Sequence, residues 1–414
     1  MSTSSTAAAL PPVSLRQDAG VIGLVGLAHM ISHFSQLLLA PLFPWLKDAL
    51  GASYTELGFL MTVFFVVSCG VQTTSGFLVD RFGPRPILFG GLALIALAAF
   101  GFAASTGYWA MALCSVVAGV GNGVFHPVDY TLLNRKVSAP RLGHAYSFHG
   151  ITGSLGWALA PVVLVPLAIA FSWRVALAGA GTLSLVVLFV LWLNRETLAL
   201  PASAPPKTGQ GAVAEDSFGF LRIPAVWICF AFFFVYAVVL SVIQAFAPEA
   251  ARQLHGVPVG LAAMCLTVYM VCSAGGMVLG GFLAADPAQC ERVVGLGFGV
   301  AALIALAIGF TPVPALAVPA LFGAMGFASG IAGPSRDLLV KRSTPDNATG
   351  RVYGVVYSGL DIGQAIAPLF FGALMDRQHY QGVWLGLVVM QALLITTALN
   401  VRKVRRSALA ATPG

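Results

Sequence analysis

The chain has 414 residues, of which 58% are hydrophobic and only 9% charged, with a formal net charge of +7. An average soluble domain carries roughly 25% charged residues, so this composition leaves too little polar surface for a water-soluble globule. The apolar residues fall in continuous runs, each close to the roughly 20 positions a helix needs to cross a hydrocarbon core, without the alternating segments of an outer-membrane barrel.

In chain order, residues 1–19 are polar, rich in Ser, Thr and Ala, and lack an apolar core ending at a small-residue cleavage site, so a cleaved signal peptide is not expected. Apolar runs broken by charge or by Pro and Gly predict helices over 20–46, 54–78, 86–104, 107–133, 143–167 and 173–193. A break with the composition of a flexible linker follows, containing PASAPPKTGQG and the acidic pair Glu215 and Asp216. Six more helices are predicted over 223–248, 258–284, 292–311, 313–340, 350–374 and 381–401. The expected organisation is a tail (1–19), a six-helix bundle (20–193), a linker (194–222), a second six-helix bundle (223–401) and a basic tail (402–414). The fold class is all-α and membrane-integral, with twelve helices in two pseudo-symmetric bundles.

Lys and Arg set the orientation of such a chain through the positive-inside rule. With a cytoplasmic N-terminus, only Lys47, Arg174, Arg252 and Arg377 of the 22 Lys and Arg residues face outward. Both termini are therefore expected in the cytoplasm, in a bacterial inner membrane. The positive charge is a topology signal spread over loops, and a nucleic-acid partner is not expected.

Polar residues inside the spans form stripes at helical spacing. The first helix carries His29, His33 and Gln36, and the fourth carries Asn122, His126 and Asp129, with Tyr130 alongside; the fifth contributes His149. The eleventh has the longest stripe, Tyr353, Tyr357, Asp361 and Gln364, while Tyr236 and Gln244 of the seventh helix and Tyr269 of the eighth are further cavity candidates. An Asp near mid-membrane costs roughly 2.5 to 3.5 kcal/mol on insertion scales, so these groups should face the bundle interior. Two readings stand for each: interhelical hydrogen bonding, or a substrate and proton pathway in which Asp361 or a histidine changes charge.

Cys69, Cys114, Cys229, Cys265, Cys272 and Cys290 show no CxxC pair and no clustered His partner, and read as buried thiols. No metal site and no cofactor are expected. A membrane-embedded enzyme is the remote alternative, since HExxH, GxSxG, Walker and Rossmann patterns are all missing from suitable contexts. A receptor or scaffold would be expected to carry a large extramembrane domain.

An internal repeat runs at an offset of 207. It pairs Pro41 with Pro248, Gly119 with Gly326, Gly123 with Gly330, Pro127 with Pro334, Gly156 with Gly363 and Pro161 with Pro368. Six spans per repeat insert both copies in the same direction, an arrangement that places a solute site between the halves and moves it by rocking.

After the second predicted helix, Gly76-Phe-Leu-Val-Asp80-Arg81-Phe-Gly83-Pro84-Arg85 resembles the GxLxDRxGR[RK] signature of the major facilitator superfamily, with Pro84 at one basic position. The resemblance implies that fold and a transport function. Asp80 and Arg81, at a helix end where backbone groups are unpaired, would latch the cytoplasmic side. Asp129, beside Arg135 and Lys136 in sequence, and the pair Arg336 and Asp337 are expected in the same cytoplasmic network. AGVGNGVFHP (118–127) and His29 resemble the fosmidomycin-resistance type of transporter, and Gly150, Gly153, Gly156 and Pro161 loosely resemble drug:proton antiporters lacking their GPxxGG core. Ser115 stands where many proton-coupled members place Arg, so coupling must use other groups. The expected function is proton-coupled export of a small amphipathic or anionic compound by a working monomer, with proton-coupled uptake of a small organic acid as the alternative.

Overall fold

The computed structural model describes residues 14–200, 224–283, 289–343 and 349–410; the side chains of 225, 336–343, 349–357 and 398–410 lie outside the description. Its helices are α1 (Leu15–Gln36), α2 (Phe43–Leu50), α3 (Tyr54–Phe82), α4 (Pro84–Ala104), α5 (Tyr108–Asn122), α6 (Phe125–Lys136), α7 (Leu142–Ala170) and α8 (Trp173–Leu193), then α9 (Pro224–Ala245), α10 (Ala247–His255), α11 (Val259–Leu283), α12 (Cys290–Phe310), α13 (Val318–Ser343), α14 (Thr349–Asp376) and α15 (Tyr380–Ala410). Twelve helical segments among the described residues are long and apolar enough to span a bilayer.

The boundaries differ from expectation where local chemistry acts. Helix α1 starts at Leu15, earlier than 20, because Ser14 and Gln17 form a reciprocal capping box. Helix α15 runs on to Ala410, so the Arg402–Arg406 segment continues the helix. Three predicted single spans are broken. The first divides into α1 and α2 around Pro41 and Pro44, and the seventh into α9 and α10 before Pro248, since proline removes an N–H and crowds the carbonyl four residues back. Both short helices end on a left-handed glycine, Gly51 (φ 60°) and Gly256 (φ 64°), so the two halves repeat this broken shape. The fourth span breaks between α5 and α6, just ahead of Pro127. The Gly123 carbonyl, deprived of the N–H that residue 127 would supply, accepts the Ser75 hydroxyl of α3 at 3.3 Å.

Within the first half α1 packs on α7, α4 on α5 and α8, and α3 on α5; within the second α11 packs on α13, α9 on α14, and α12 on α13 and α15. The halves meet through two main pairs, α3 with α14 and α7 with α11. The pairs are related by the repeat: Thr62 of α3 donates to the Ala365 carbonyl (2.6 Å), and Thr267 of α11 to that of Ala158 (2.9 Å), Ala158 and Ala365 being one repeat apart.

The α3–α14 seam is closed at its Tyr54 end. The Asp376 carboxylate accepts from Tyr54 N (2.6 Å), Thr55 N (2.9 Å) and Thr55 Oγ1 (2.6 Å), supplying negative charge to the α3 N-terminus. Tyr54 also donates to Glu249 (3.2 Å), which holds Arg252. Past Gln72, at the other end, Thr73, Thr74, Phe77 and Leu78 are exposed.

Candidate functional site

The intramembrane polar residues gather where α1, α6 and α7 meet α3, which in turn packs on α14. Close packing of α7 on α1 comes first. A Cβ on Gly156 would lie 2.2 Å from the Met30 carbonyl oxygen, and one on Gly153 would lie 2.7 Å from His33 Cε1 and 3.1 Å from His29 Nε2. Two of the glycines in the antiporter-like pattern thus make room for imidazoles; a Cβ on the third, Gly150, would meet nothing within 4 Å.

With the helices this close, four histidines form one cluster. The rings of His29 and His149 stack at 3.5 Å between centroids, His29 and His33 lie 4.3 Å apart, and His29 and His126 5.4 Å. Asp129 sits beneath them, fully buried, with its Oδ2 3.1 Å from both His29 Nδ1 and His149 Nε2. This corrects the expected place of Asp129: it faces the histidines of α1 and α7, because α6 turns it inward from the sequence neighbours Arg135 and Lys136.

A second chain of contacts leaves the cluster for the other half. His126 Nδ1 donates to Gln72 Oε1 (2.8 Å), and Gln72 Nε2 donates to Asp361 Oδ2 (3.2 Å). Gln72 was not among the sequence candidates. It sits in an apolar stretch of α3, and its signal there is spacing: Ser68, Gln72 and Ser75 mark one polar helix face. Its approach to His126 depends on Gly123, whose Cβ would fall 2.6 Å from the Ser68 carbonyl oxygen and 3.0 Å from the Gln72 amide nitrogen.

Other candidates take structural positions. Asn122 stitches three helices, accepting from Ser32 of α1 (2.8 Å) and donating to Ser68 of α3 (2.9 Å). Gln36 accepts from Trp157 (2.9 Å), whose ring lies 4.3 Å from His33; Trp157 too was missed, since a tryptophan in an apolar run reads as core. Tyr236 lies edge-on to Phe298, Tyr269 is buried on α11, and Gln364 is buried one turn beyond Asp361. Gln244 lines a cavity of about 50 Å³ with Pro41, Glu249 and Arg252, at the Tyr54 end of the molecule. The side chains of Tyr353 and Tyr357 lie outside the described residues.

In the signature segment, Gly83 adopts φ 83°, a value that favours glycine. Asp80 and Arg81 are exposed, Arg81 lying over the Phe82 ring at 5.3 Å, while Arg85 reaches Glu196 (3.6 Å) and the Arg195 carbonyl (3.4 Å) within its own half. Gly76 has open space around it. The side chains of Arg336 and Asp337 lie outside the described residues.

The profile of the family described as Major Facilitator Superfamily matches residues 25–368 and 291–414. The hexuronate transporter of Bacillus subtilis is 23% identical over 407 residues, covering 91% of this chain and 93% of its own. The fosmidomycin resistance protein of Escherichia coli is 26% identical over 164 residues, 38% of each chain, so that likeness is one distant match among transporters of differing cargo. This chain spans less than half the length of that protein and of several other curated relatives. Among solved structures, a bacterial homolog of the human lysosomal transporter Spinster, described as inward-facing and occupied, superposes with TM-score 0.73 at 14% identity, over 97% of this chain and 100% of its own.

Proposed function

The chain belongs to the major facilitator superfamily, a multi-pass membrane transporter and not an enzyme, and from that premise we propose that it is a proton-coupled secondary transporter of a small organic anion or amphipath. One observation carries the reading. Asp361, a half-buried carboxylate on α14 of the second half, accepts from Gln72 on α3 of the first, and Gln72 in turn binds His126. A group that changes charge at the seam between rocking halves ties its protonation to their relative position, because the hydrogen bond across the seam is strong only while the carboxylate is charged. Asp361 is the proton carrier in this reading. The His126, Gln72 and Asp361 surface is where solute and proton meet, and the working unit is one chain.

The favoured direction is export, each proton entering on Asp361 being exchanged for solute leaving. The positive-inside distribution puts the Asp80 end in the cytoplasm, so the closed Tyr54–Asp376 end faces outward and the seam near Asp361 is reached from inside. Proton-linked uptake of an organic acid is the second reading, favoured by the near full-length match to a hexuronate transporter.

The test uses everted vesicles with a fluorescent report of the proton gradient, challenged with phosphonates, sugar acids, other organic acids and dyes. Export predicts that one compound class collapses the gradient with wild type and not with Asp361→Asn. Solute entry into right-side-out vesicles, with acidification inside, would replace export by uptake. Wild-type and Asp361→Asn transport that are equal and independent of the gradient would overturn proton coupling altogether.

A further inference from the structure

The cluster beneath the seam holds more ligating atoms than proton coupling at Asp361 uses. His29 Nδ1, Asp129 Oδ2 and His149 Nε2 all lie within 4.8 Å of one another, with both nitrogens 3.1 Å from the oxygen. In a tetrahedral site with metal–nitrogen and metal–oxygen bonds of about 2.0 to 2.2 Å, neighbouring ligand atoms stand about 3.3 Å apart. Both nitrogen–oxygen distances are therefore already near the edge lengths of a coordination shell.

The remaining valences also point to a cation. Asp129 is fully buried, and its Oδ1 has no hydrogen-bond partner among the described residues. Such groups are normally satisfied, since burying them bare is costly. A divalent ion would draw on the carboxylate charge and on two imidazoles at once. Ligands of this kind, two nitrogens with one carboxylate, suit zinc, cobalt or nickel rather than magnesium or calcium, which take oxygen.

We infer that the first half contains a resident binding site for one divalent transition-metal ion, seated on His29, Asp129 and His149. All three belong to one half, on α1, α6 and α7, so the ion travels with that half as a clamp on its three helices and is not handed across the seam. This is independent of the direction or coupling of transport.

The experiment uses the purified full-length chain, freed of any histidine tag and stripped with a chelator, in lipid nanodiscs. Cobalt(II) is titrated in as a spectroscopic substitute for zinc. The expected result is a saturable visible ligand-field spectrum of tetrahedral type at one equivalent, bleached by zinc, with affinity at least tenfold lower in Asp129→Asn and His149→Ala. Gly153→Ala keeps every ligand but places a methyl 3.1 Å from His29 Nε2, and is expected to weaken binding as well. His255→Ala, whose ring binds the Ile308 carbonyl far along the chain, and Asp361→Asn are expected to bind as wild type, which separates this inference from the reading of Asp361. Thermal melting of each stripped variant shows whether it is folded; should Asp129→Asn not fold, His149→Ala and Gly153→Ala carry the result. Failure of stripped wild type to bind cobalt at one equivalent, or equal binding by folded His149→Ala, would overturn the site.

Discussion

Gln72 joins the two sets of polar groups. Its amide makes one bond to each half, so replacing it by leucine removes both and leaves Asp361 and His126 facing an apolar side chain. An unsatisfied buried polar group costs about 1 to 3 kcal/mol, and every 1.4 kcal/mol is tenfold in an equilibrium constant. Transport by Gln72→Leu is expected to fall at least about tenfold in the vesicle assay, with protein levels near those of wild type. Unchanged transport would mean that the bridge is dispensable. Asn122 is a contrasting case: its bonds to Ser32 and Ser68 hold α1, α5 and α3 together, and Asn122→Ala is expected to lower the melting temperature of the protein in detergent more than it changes substrate affinity.

At the scale of elements, glycines and prolines decide how near the helices come and where they break. Gly123 stands at the α5–α6 break, against Ser68, Val71 and Gln72 of α3. Adding a methyl there overpacks the contact, at a typical cost of about 1 to 3 kcal/mol, and pushes Gln72 from His126. Gly123→Ala is expected to lower both the melting temperature and transport. Gly90→Ala on α4, where a Cβ would meet nothing within 4 Å, is the control and is expected to leave both near wild type. The repeat at 207 residues was readable because such positions are few and punctuate the backbone; prolines start the short helix of each half, and Gly51 and Gly256 end it.

At the scale of the molecule, the two halves are joined at one end by charge placed on a helix terminus. Asp376 of the second half caps α3 of the first, much as Asp80 was expected to latch the opposite side. A carboxylate at a helix N-terminus contributes about 0.5 to 2 kcal/mol. Asp376→Ala should therefore shift the population away from the closed Tyr54 end by roughly two- to thirtyfold. Spin labels at Asp48→Cys and His379→Cys, on a background lacking the accessible native thiols, would record this as a longer distance component; an unchanged distribution would show that the Tyr54–Glu249–Arg252 contacts hold the end closed alone.

Much of this protein was legible in one dimension. Span count follows from apolar run length set against bilayer thickness, and the repeat from residues that dictate backbone shape. The polar stripe of the first helix follows from a spacing that any α-helix imposes, whereas that of the fourth crosses the break between α5 and α6. Ser14 and Gln17 carried the start of α1 in their own side chains, although apolar content alone placed it at 20. What the sequence could not reveal was partnership. His29 and Asp129 are a hundred positions apart, and no ligand spacing along the chain announces a metal site when each ligand comes from a different helix. Gln72 and Asp361 are 289 apart and in different halves, and Asp376 meets Tyr54 only because the halves close on that side. Propensity and hydropathy act on neighbours in sequence, so they determined the elements. The meeting of buried charges is set by which helices pack together, and that was decided only by the tertiary structure.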